Sequence, residues 1–154
     1  MVSAEASLRE LGIQLPQAPK PFGAYVEAVQ TGNLLFLTGM PPVENQKPKF
    51  VGRVGKELDG AAGREAAELA GLNALAVARE YLGSLDKVTR VVRLGVYIAT
   101  SGNLVDQPKV ADGASELFNR VFGPDKMSAR LVIGVARLPI DMPIELEVIL
   151  ETKP

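Results

Sequence analysis

Arg130 and Glu145 are the residues of this sequence whose types and spacing most directly suggest chemistry. Both lie in the stretch Ser128 to Glu151, which reads SARLVIGVARLPIDMPIELEVILE and contains two short segments with the alternation typical of β-strands. A charged side chain that leaves the apolar face of a sheet can meet a small polar ligand. We therefore expect the functional site where these two side chains emerge.

The alternation of residue types predicts which side chains share a face of each strand. In the first segment Leu131, Ile133 and Val135 lie on one face, which places Arg130 on the other. In the second segment aliphatic residues alternate mostly with glutamates, so Glu145 also faces away from the aliphatic side. The two prolines between the segments suit a turn, and we predict a pair of neighbouring strands. If helices cover the aliphatic face, both charges emerge on the opposite face.

The composition limits the chemistry that the chain can perform. Its 154 residues suit one domain, and 47% hydrophobic with 23% charged residues is ordinary for a soluble globular fold. The sequence has no cysteine and no histidine, which excludes thiol catalysis and removes the commonest general base and metal ligand. We accordingly expect no metal and no cofactor.

Charge and hydropathy favour a cytoplasmic protein. The net charge is −1, from 17 basic and 18 acidic residues, so no overall field attracts nucleic acid or an anionic membrane. No apolar run approaches the roughly 20 residues of a membrane span, and the N-terminal segment lacks the pattern of a signal peptide. Neither a membrane nor a nucleic-acid partner is expected.

Periodicity along the chain predicts an α+β fold with the order β-β-α-β-α-β-β, a mixed sheet carrying two helices on one face. Residues 1–22 are predicted as an N-terminal arm that includes a short helix, and residues 23–154 as a single domain. The predicted strands are residues 23–30, 33–38 and 88–99 and the two segments described above; the predicted helices are residues 61–82 and 103–122, and residues 43–57 form a loop. Asn73, in the first long helix, is expected to make a structural hydrogen bond.

The strand Val88 to Ala99 is apolar on nearly both faces, as expected for a strand that is covered on both sides. Helices can cover only one side in this arrangement. A sheet with one bare apolar face would expose more than the few hundred Å² that monomers tolerate, so we infer self-association through that face. The candidate site then lies at a subunit interface.

Several motifs carry a resemblance to a known family. The segments GAYVEAV, LTGMPP and ARLPIDMPIELEVILE, together with Arg130 and Glu145, resemble the Rid family, also called the YjgF/YER057c/UK114 family. The resemblance covers nearly all of the chain from Gly23 onward. It implies a chorismate-mutase-like fold, a homotrimer, and three clefts between subunits that bind small carboxylates.

The resemblance also implies an activity. Active members of the family hydrolyse reactive enamines and imines, such as 2-aminoacrylate, to 2-oxo acids and ammonia. On this interpretation Arg130 clamps the substrate carboxylate, because a guanidinium offers a planar fork that matches a carboxylate. Glu145 positions or activates the attacking water, a role that suits a carboxylate whose pKa is raised in a partly dry cleft.

Four further residues are implied to bind substrate. Tyr25 lines the cleft, Gly39 lets a backbone group approach the ligand, and Thr38 precedes it. Val132 occupies a position where many members carry a cysteine, and its backbone is expected to contact ligand or water. The helix position where active members often carry an asparagine falls near Ser115 in this sequence.

Alternatives to this interpretation stay open at the level of sequence. Arg130 could pair with Glu145 or Glu147 in an interface without catalysis. The protein could bind small carboxylates without turning them over, or act on RNA, since some relatives are named endoribonuclease or translation inhibitor. A small basic cluster fits a solvated loop better than an RNA site, because it lacks interleaved aromatic residues; it comprises Lys47, Lys49, Arg53 and Lys56.

Overall fold

Helices cover one face of a mixed five-stranded sheet in this protein, whose computed structural model describes residues 3–104 and 106–154. The elements are α1 (Ala4–Glu10), β1 (Ala28–Thr31), β2 (Leu34–Leu37), β3 (Val43–Glu44), β4 (Lys47–Pro48), α2 (Gly60–Leu82), β5 (Val88–Ala99), α3 (Gln107–Phe122), β6 (Ala129–Val135) and β7 (Ile144–Thr152). The sheet order is β1-β2-β7-β5-β6, with only β5 and β6 parallel. The predicted α+β class and element order are confirmed, with a small β3-β4 hairpin added inside the predicted loop.

The long helices begin and end at residues of types that favour helix ends. The Asp59 side chain accepts a hydrogen bond from the Ala62 N–H at 2.8 Å at the start of α2, and Gly83 ends it with a left-handed φ of 85°. Helix α3 begins at Gln107, later than the predicted Asn103, and carries a proline in its first turn. Val105, within the predicted span, lies outside the described residues, as do residues 1 and 2 of the predicted arm.

Small residues let α2 and α3 pack closely. A Cβ placed on Gly113 of α3 would lie 2.2 Å from the backbone oxygen of Arg64 in α2. The core then fills the space between these helices and β2, β5 and β7, with Phe118, Leu94 and Leu146 at most 1% exposed. Helix α1 joins the same core through Ala4 and Leu8. We call the covered side of the sheet the helix face and the other side the open face.

The prediction that the two C-terminal segments pair with each other is wrong. Strand β5 lies between β6 and β7, paired in parallel with β6 and antiparallel with β7. The physical reason is that β5, α3 and β6 form a β-α-β unit, which brings its two strands together in parallel. The far side of β5 is then the place left for β7.

The face predicted for Arg130 is also wrong. In the parallel β5-β6 register Arg130 lies beside Leu94, and paired residues point to the same side of a sheet. Leu94 is 0% exposed beneath the helices, so Arg130 belongs to the helix face. Leu131 and Ile133 instead lie on the open face, where they are 38% and 39% exposed. Alternation shows which residues share a face but does not say which face is covered.

The open face has a mixed character. It exposes the apolar side chains of Val29 and Phe36 as well as those of β6, and it also carries the ion pair of Arg93 with Glu147 at 2.6 Å. Self-association through this face stays a prediction. Within the described residues no helix is both long and apolar enough to cross a membrane.

Candidate functional site

Glu145 and Gly39 meet on the open face. Glu145 lies near the start of β7, opposite Tyr97 of β5. A Cβ built on Gly39 would lie 2.9 Å from Cδ of Glu145, closer than real Cβ atoms come to a neighbouring atom. Gly39 is therefore in close contact with the glutamate carboxyl, whereas the approach of its backbone to a ligand stays a prediction.

The environment of Glu145 differs from that of the next glutamate on the same face. Burial raises the pKa of Glu145, because a partly dry surrounding disfavours the charged carboxylate. Its carboxyl group has no hydrogen bond or ion pair to any described residue, whereas Glu147 is paired with Arg93. A half-buried carboxylate with a raised pKa and free oxygens can accept a proton from water.

Tyr25, Thr38 and Gly39 line one shallow pocket together with Phe22 and Met40. The hydroxyl oxygen of Tyr25 accepts a hydrogen bond from the backbone N–H of Phe22 at 2.8 Å, so its own proton remains available to a ligand. Tyr25 is 45% exposed. The structure thus brings three of the predicted binding residues together, and one of them, Gly39, lies against Glu145. We call this group, Tyr25, Thr38, Gly39 and Glu145, the glutamate pocket.

A buried asparagine fixes the loop that follows Gly39. The Asn73 amide donates to the carbonyl oxygens of Pro41 and Val43, each at 2.9 Å, and the side chain is 1% exposed. Met40 also exchanges two backbone hydrogen bonds with Leu146, at 2.8 and 2.9 Å. The structural hydrogen bond predicted for Asn73 is confirmed, and it holds Gly39 against β7.

Arg130 has different neighbours. Its Nη1 donates to Oδ1 of Asp112 at 2.6 Å and to Oγ of Ser115 at 3.1 Å, both on α3. Neither Glu145 nor Glu147 pairs with it, so the ion pair considered from the sequence does not form within this chain. The edge formed by Nε and Nη2 has no partner in the described part of the chain, and that edge matches a carboxylate.

Asp112 is the site residue that the sequence analysis missed. It lies three positions before Ser115 on α3, and residues at that spacing share a helix face. This spacing was the available signal, but it becomes informative only once α3 is known to lie against β6. Arg130, Asp112 and Ser115 form what we call the arginine edge.

One protomer does not bring the two halves of the predicted site together. The glutamate pocket lies on the open face, whereas the arginine edge lies on the helix face, with β5 between their strands. Val132 falls on the same side as Arg130, where its side chain packs against the core. Arg130 of one chain can therefore act with Glu145 only if the glutamate comes from a second copy.

The sequence of this chain is similar to those of several known proteins. A family model described as "YjgF/chorismate mutase-like, putative endoribonuclease" matches residues 5–149. Protein TCP17 of Trypanosoma cruzi is 36% identical over 147 residues, which covers 95% of this chain and 92% of that protein. The 2-iminobutanoate/2-iminopropanoate deaminase of Dermatophagoides farinae is 32% identical over 136 residues, covering 88% of this chain and 91% of that enzyme.

A solved structure shows the same architecture. The crystal structure of protein Atu1372 of Agrobacterium tumefaciens, a protein with unknown function, matches with a TM-score of 0.89 at 37% identity. The match covers 97% of this chain and 92% of that chain. The chorismate-mutase-like fold and the resemblance noted from the motifs are both confirmed: the chain belongs to the YjgF/Rid family.

Proposed function

We propose that this protein hydrolyses reactive enamines and imines of small amino acids, compounds like 2-aminoacrylate, to 2-oxo acids and ammonia. The observation that carries the proposal is Glu145, whose half-buried carboxyl lies against Gly39 with a raised pKa and no partner in the described part of the chain. The similarity to an iminobutanoate deaminase at 32% identity supports the same reaction class.

Glu145 acts on water in this proposal. Its carboxylate takes a proton from a water molecule as the water oxygen bonds to the imine carbon, and the C=N electron pair moves to nitrogen, which receives that proton from Glu145. As the carbonyl forms, Glu145 takes the remaining hydroxyl proton and passes it to the nitrogen, so the C–N bond of the tetrahedral intermediate breaks, ammonia leaves and the carboxylate is regenerated. Imine and water are thereby converted to 2-oxo acid and ammonia with no redox step.

Arg130 holds the substrate carboxylate, and it comes from a neighbouring copy. Asp112 and Ser115 occupy Nη1, which leaves the other edge of the guanidinium for two parallel hydrogen bonds. A ring of three copies places β6 of one chain against the open face of the next, an arrangement supported by the exposed Leu131 and Ile133. Asp112 is thus a positioning residue for the carboxylate clamp.

The test supplies imines made in situ by an amino-acid oxidase and measures the rate of 2-oxo acid formation. We expect the wild-type protein to accelerate hydrolysis and Arg130→Ala to lower kcat/KM by about 10- to 100-fold, the loss of a charged hydrogen-bonded contact. Arg137→Ala is the matched control, since that arginine is paired with Asp141 and its side chain is 73% exposed. Saturable carboxylate binding without any acceleration would identify a non-catalytic binder instead.

No comparable observation supports action on RNA. Of the small basic cluster, Lys49 is engaged by Glu44 at 3.5 Å, and the chain has no histidine for ordinary acid-base cleavage.

A further inference from the structure

The N-terminal arm contributes to the lining of the glutamate pocket. Residues 19–22 of the arm and residues 38–41 after β2 line the pocket together, along with Tyr25 and Glu27. The space that they leave is only about 10 Å³, which is room for about one water molecule. The position of residues 19–22, which we call the arm wall, therefore limits how large a group can enter beside Gly39.

A second cavity adjoins the arm wall. Pro19 and Lys20 also line this cavity, which has a volume of about 250 Å³ and is lined as well by Tyr81 of α2. Lys20 pairs with Glu80 of α2 at 2.9 Å, but both side chains are more than half exposed, and such ion pairs contribute little. The second cavity leaves room for the arm wall to move unless another contact holds it.

Gln46 provides that contact. Its side-chain amide pairs with the backbone of Lys20, since Oε1 accepts from the Lys20 N–H at 2.7 Å and Nε2 donates to the Lys20 carbonyl oxygen at 3.1 Å. Two hydrogen bonds to one residue fix both its position and its orientation, as they do between paired strands. The backbone N–H of Phe22 donates to the hydroxyl of Tyr25 at 2.8 Å, so the arm wall in turn holds Tyr25.

The backbone of Gln46 is in an unusual conformation. Asn45 and Gln46 form the two-residue turn of the β3-β4 hairpin, with φ angles of 53° and 64°. Glycine is preferred in such turns, because the left-handed region disfavours a Cβ. The hairpin is itself fixed, since the Asn73 amide donates to the Val43 carbonyl oxygen at 2.9 Å. Unfavourable backbone conformations of this kind cluster where a side chain is needed in one position.

We propose that Gln46 is a positioning residue: by binding Lys20 it holds the arm wall in the glutamate pocket, and so restricts that pocket to imines with small side chains. The inference rests on the proposed function, because it places the imine in this pocket. Gly39 lies against the carboxyl group of Glu145, so a substrate attacked by water there lies beside the arm wall. A branched side chain needs more space than one water molecule occupies, and it enters only when the arm wall moves.

The test compares two imines that an amino-acid oxidase makes in situ, one from alanine and one from leucine. Gln46→Gly removes the side-chain amide and suits the left-handed backbone, so the turn should stay folded. We expect the wild type to prefer the alanine imine, and Gln46→Gly to lower the ratio of the two kcat/KM values by about 10-fold, since two hydrogen bonds are lost. The change should come from faster hydrolysis of the leucine imine, whereas general damage to the fold would slow both.

Asn45→Gly is the matched control. Asn45 belongs to the same turn and also has a left-handed φ, but the hydrogen bonds to the arm come from Gln46. The ratio of kcat/KM values in Asn45→Gly should equal that of the wild type. Amide hydrogen exchange gives a second readout: the Lys20 N–H should exchange about 10-fold faster in Gln46→Gly and at the wild-type rate in Asn45→Gly.

An unchanged ratio in Gln46→Gly, or an equal change in Asn45→Gly, would overturn the inference while leaving imine hydrolysis intact. If the wild type hydrolyses neither imine, the proposed function fails, and the side-chain limit is decided by the affinities for pyruvate and for the 2-oxo acid of leucine, from NMR shifts of the Gly39 amide. A preference for pyruvate that Gln46→Gly reduces supports the inference. A preference that it leaves unchanged, equal affinities in the wild type, or no saturable binding of either acid rejects it.

Discussion

Strands β6 and β7 carry the two charged residues of the candidate site, Arg130 and Glu145. The two strands differ in how well the rest of the chain covers them. Strand β7 lies between β2 and β5, and its inward residues Ile144 and Leu146 are 0% exposed. Strand β6 has a neighbour on one side only, and its Leu131 and Ile133 remain more than a third exposed. The interior strand is covered within the protomer, whereas the edge strand keeps part of its apolar surface exposed.

This difference explains why one chain brings together the residues of the glutamate pocket but supplies only part of the surroundings of the arginine edge. In one chain Glu145 already lies against Gly39, which lines a pocket together with Tyr25. Arg130 is held by α3, but its expected counterpart in the site, Glu145, does not pair with it. If a second copy supplies that glutamate, substitutions in the glutamate pocket and substitutions on the strand of the arginine edge should have different effects.

The largest expected effect comes from a substitution in the glutamate pocket. Glu145→Gln keeps the shape of the side chain but cannot accept a proton from water, so kcat for imine hydrolysis should fall by roughly 10²- to 10⁴-fold with little change in KM. Glu147→Gln is the matched control two residues along the same face. A wild-type kcat for Glu145→Gln would make this glutamate structural.

The second-largest effect concerns the open face of β6, the strand that carries Arg130. Ile133→Asp places a charge on the open face of β6, and burying it in an interface costs several kcal/mol, so subunit dissociation should increase by about 10²-fold or more. Light scattering should then show protomers, and activity should fall in parallel. Leu11→Asp, at an exposed position 45% open to solvent beyond α1, should leave the mass unchanged. A full-size assembly of Ile133→Asp would remove β6 from the interface.

A smaller effect is expected from Gly39→Ala. The new Cβ would lie 2.9 Å from Cδ of Glu145, so the carboxyl must move, and kcat/KM should drop by about 10-fold. Gly60→Ala is the control, since nothing lies within 4 Å of a Cβ there. Equal kinetics for Gly39→Ala and wild type would show that the position of Glu145 does not limit the reaction.

The smallest effect is one of stability against pH. The pKa of Glu145 is higher in the folded protein than in the unfolded chain, so the folded state holds this proton more tightly. Wild type should therefore lose stability relative to Glu145→Gln as the pH rises from the ordinary glutamate pKa through the raised value. Denaturant unfolding of both proteins should show the variant slightly more stable at neutral pH and no difference in acid. A larger difference in acid than at neutral pH would contradict the burial of this carboxyl.

The sequence predicted those features that depend on neighbouring residues. The alternation in β7 and the extent of α2, predicted as residues 61–82 and found as Gly60–Leu82, both follow from local chemistry. The order of strands is a long-range property, because it depends on where a β-α-β unit leaves space in the sheet. That is why the pairing of β6 and the face of Arg130 were predicted wrongly, and why its contact with Asp112 was missed.

The central claim is that each site combines Glu145 of one copy with Arg130 of another. Arg130→Ala and Glu145→Gln proteins, each nearly inactive alone, should regain activity when they are unfolded and refolded together. In a ring with random composition about a quarter of the sites would contain both intact residues, so the mixture should approach a quarter of the wild-type rate. A mixture that never exceeds the average rate of its two variants would contradict a shared site.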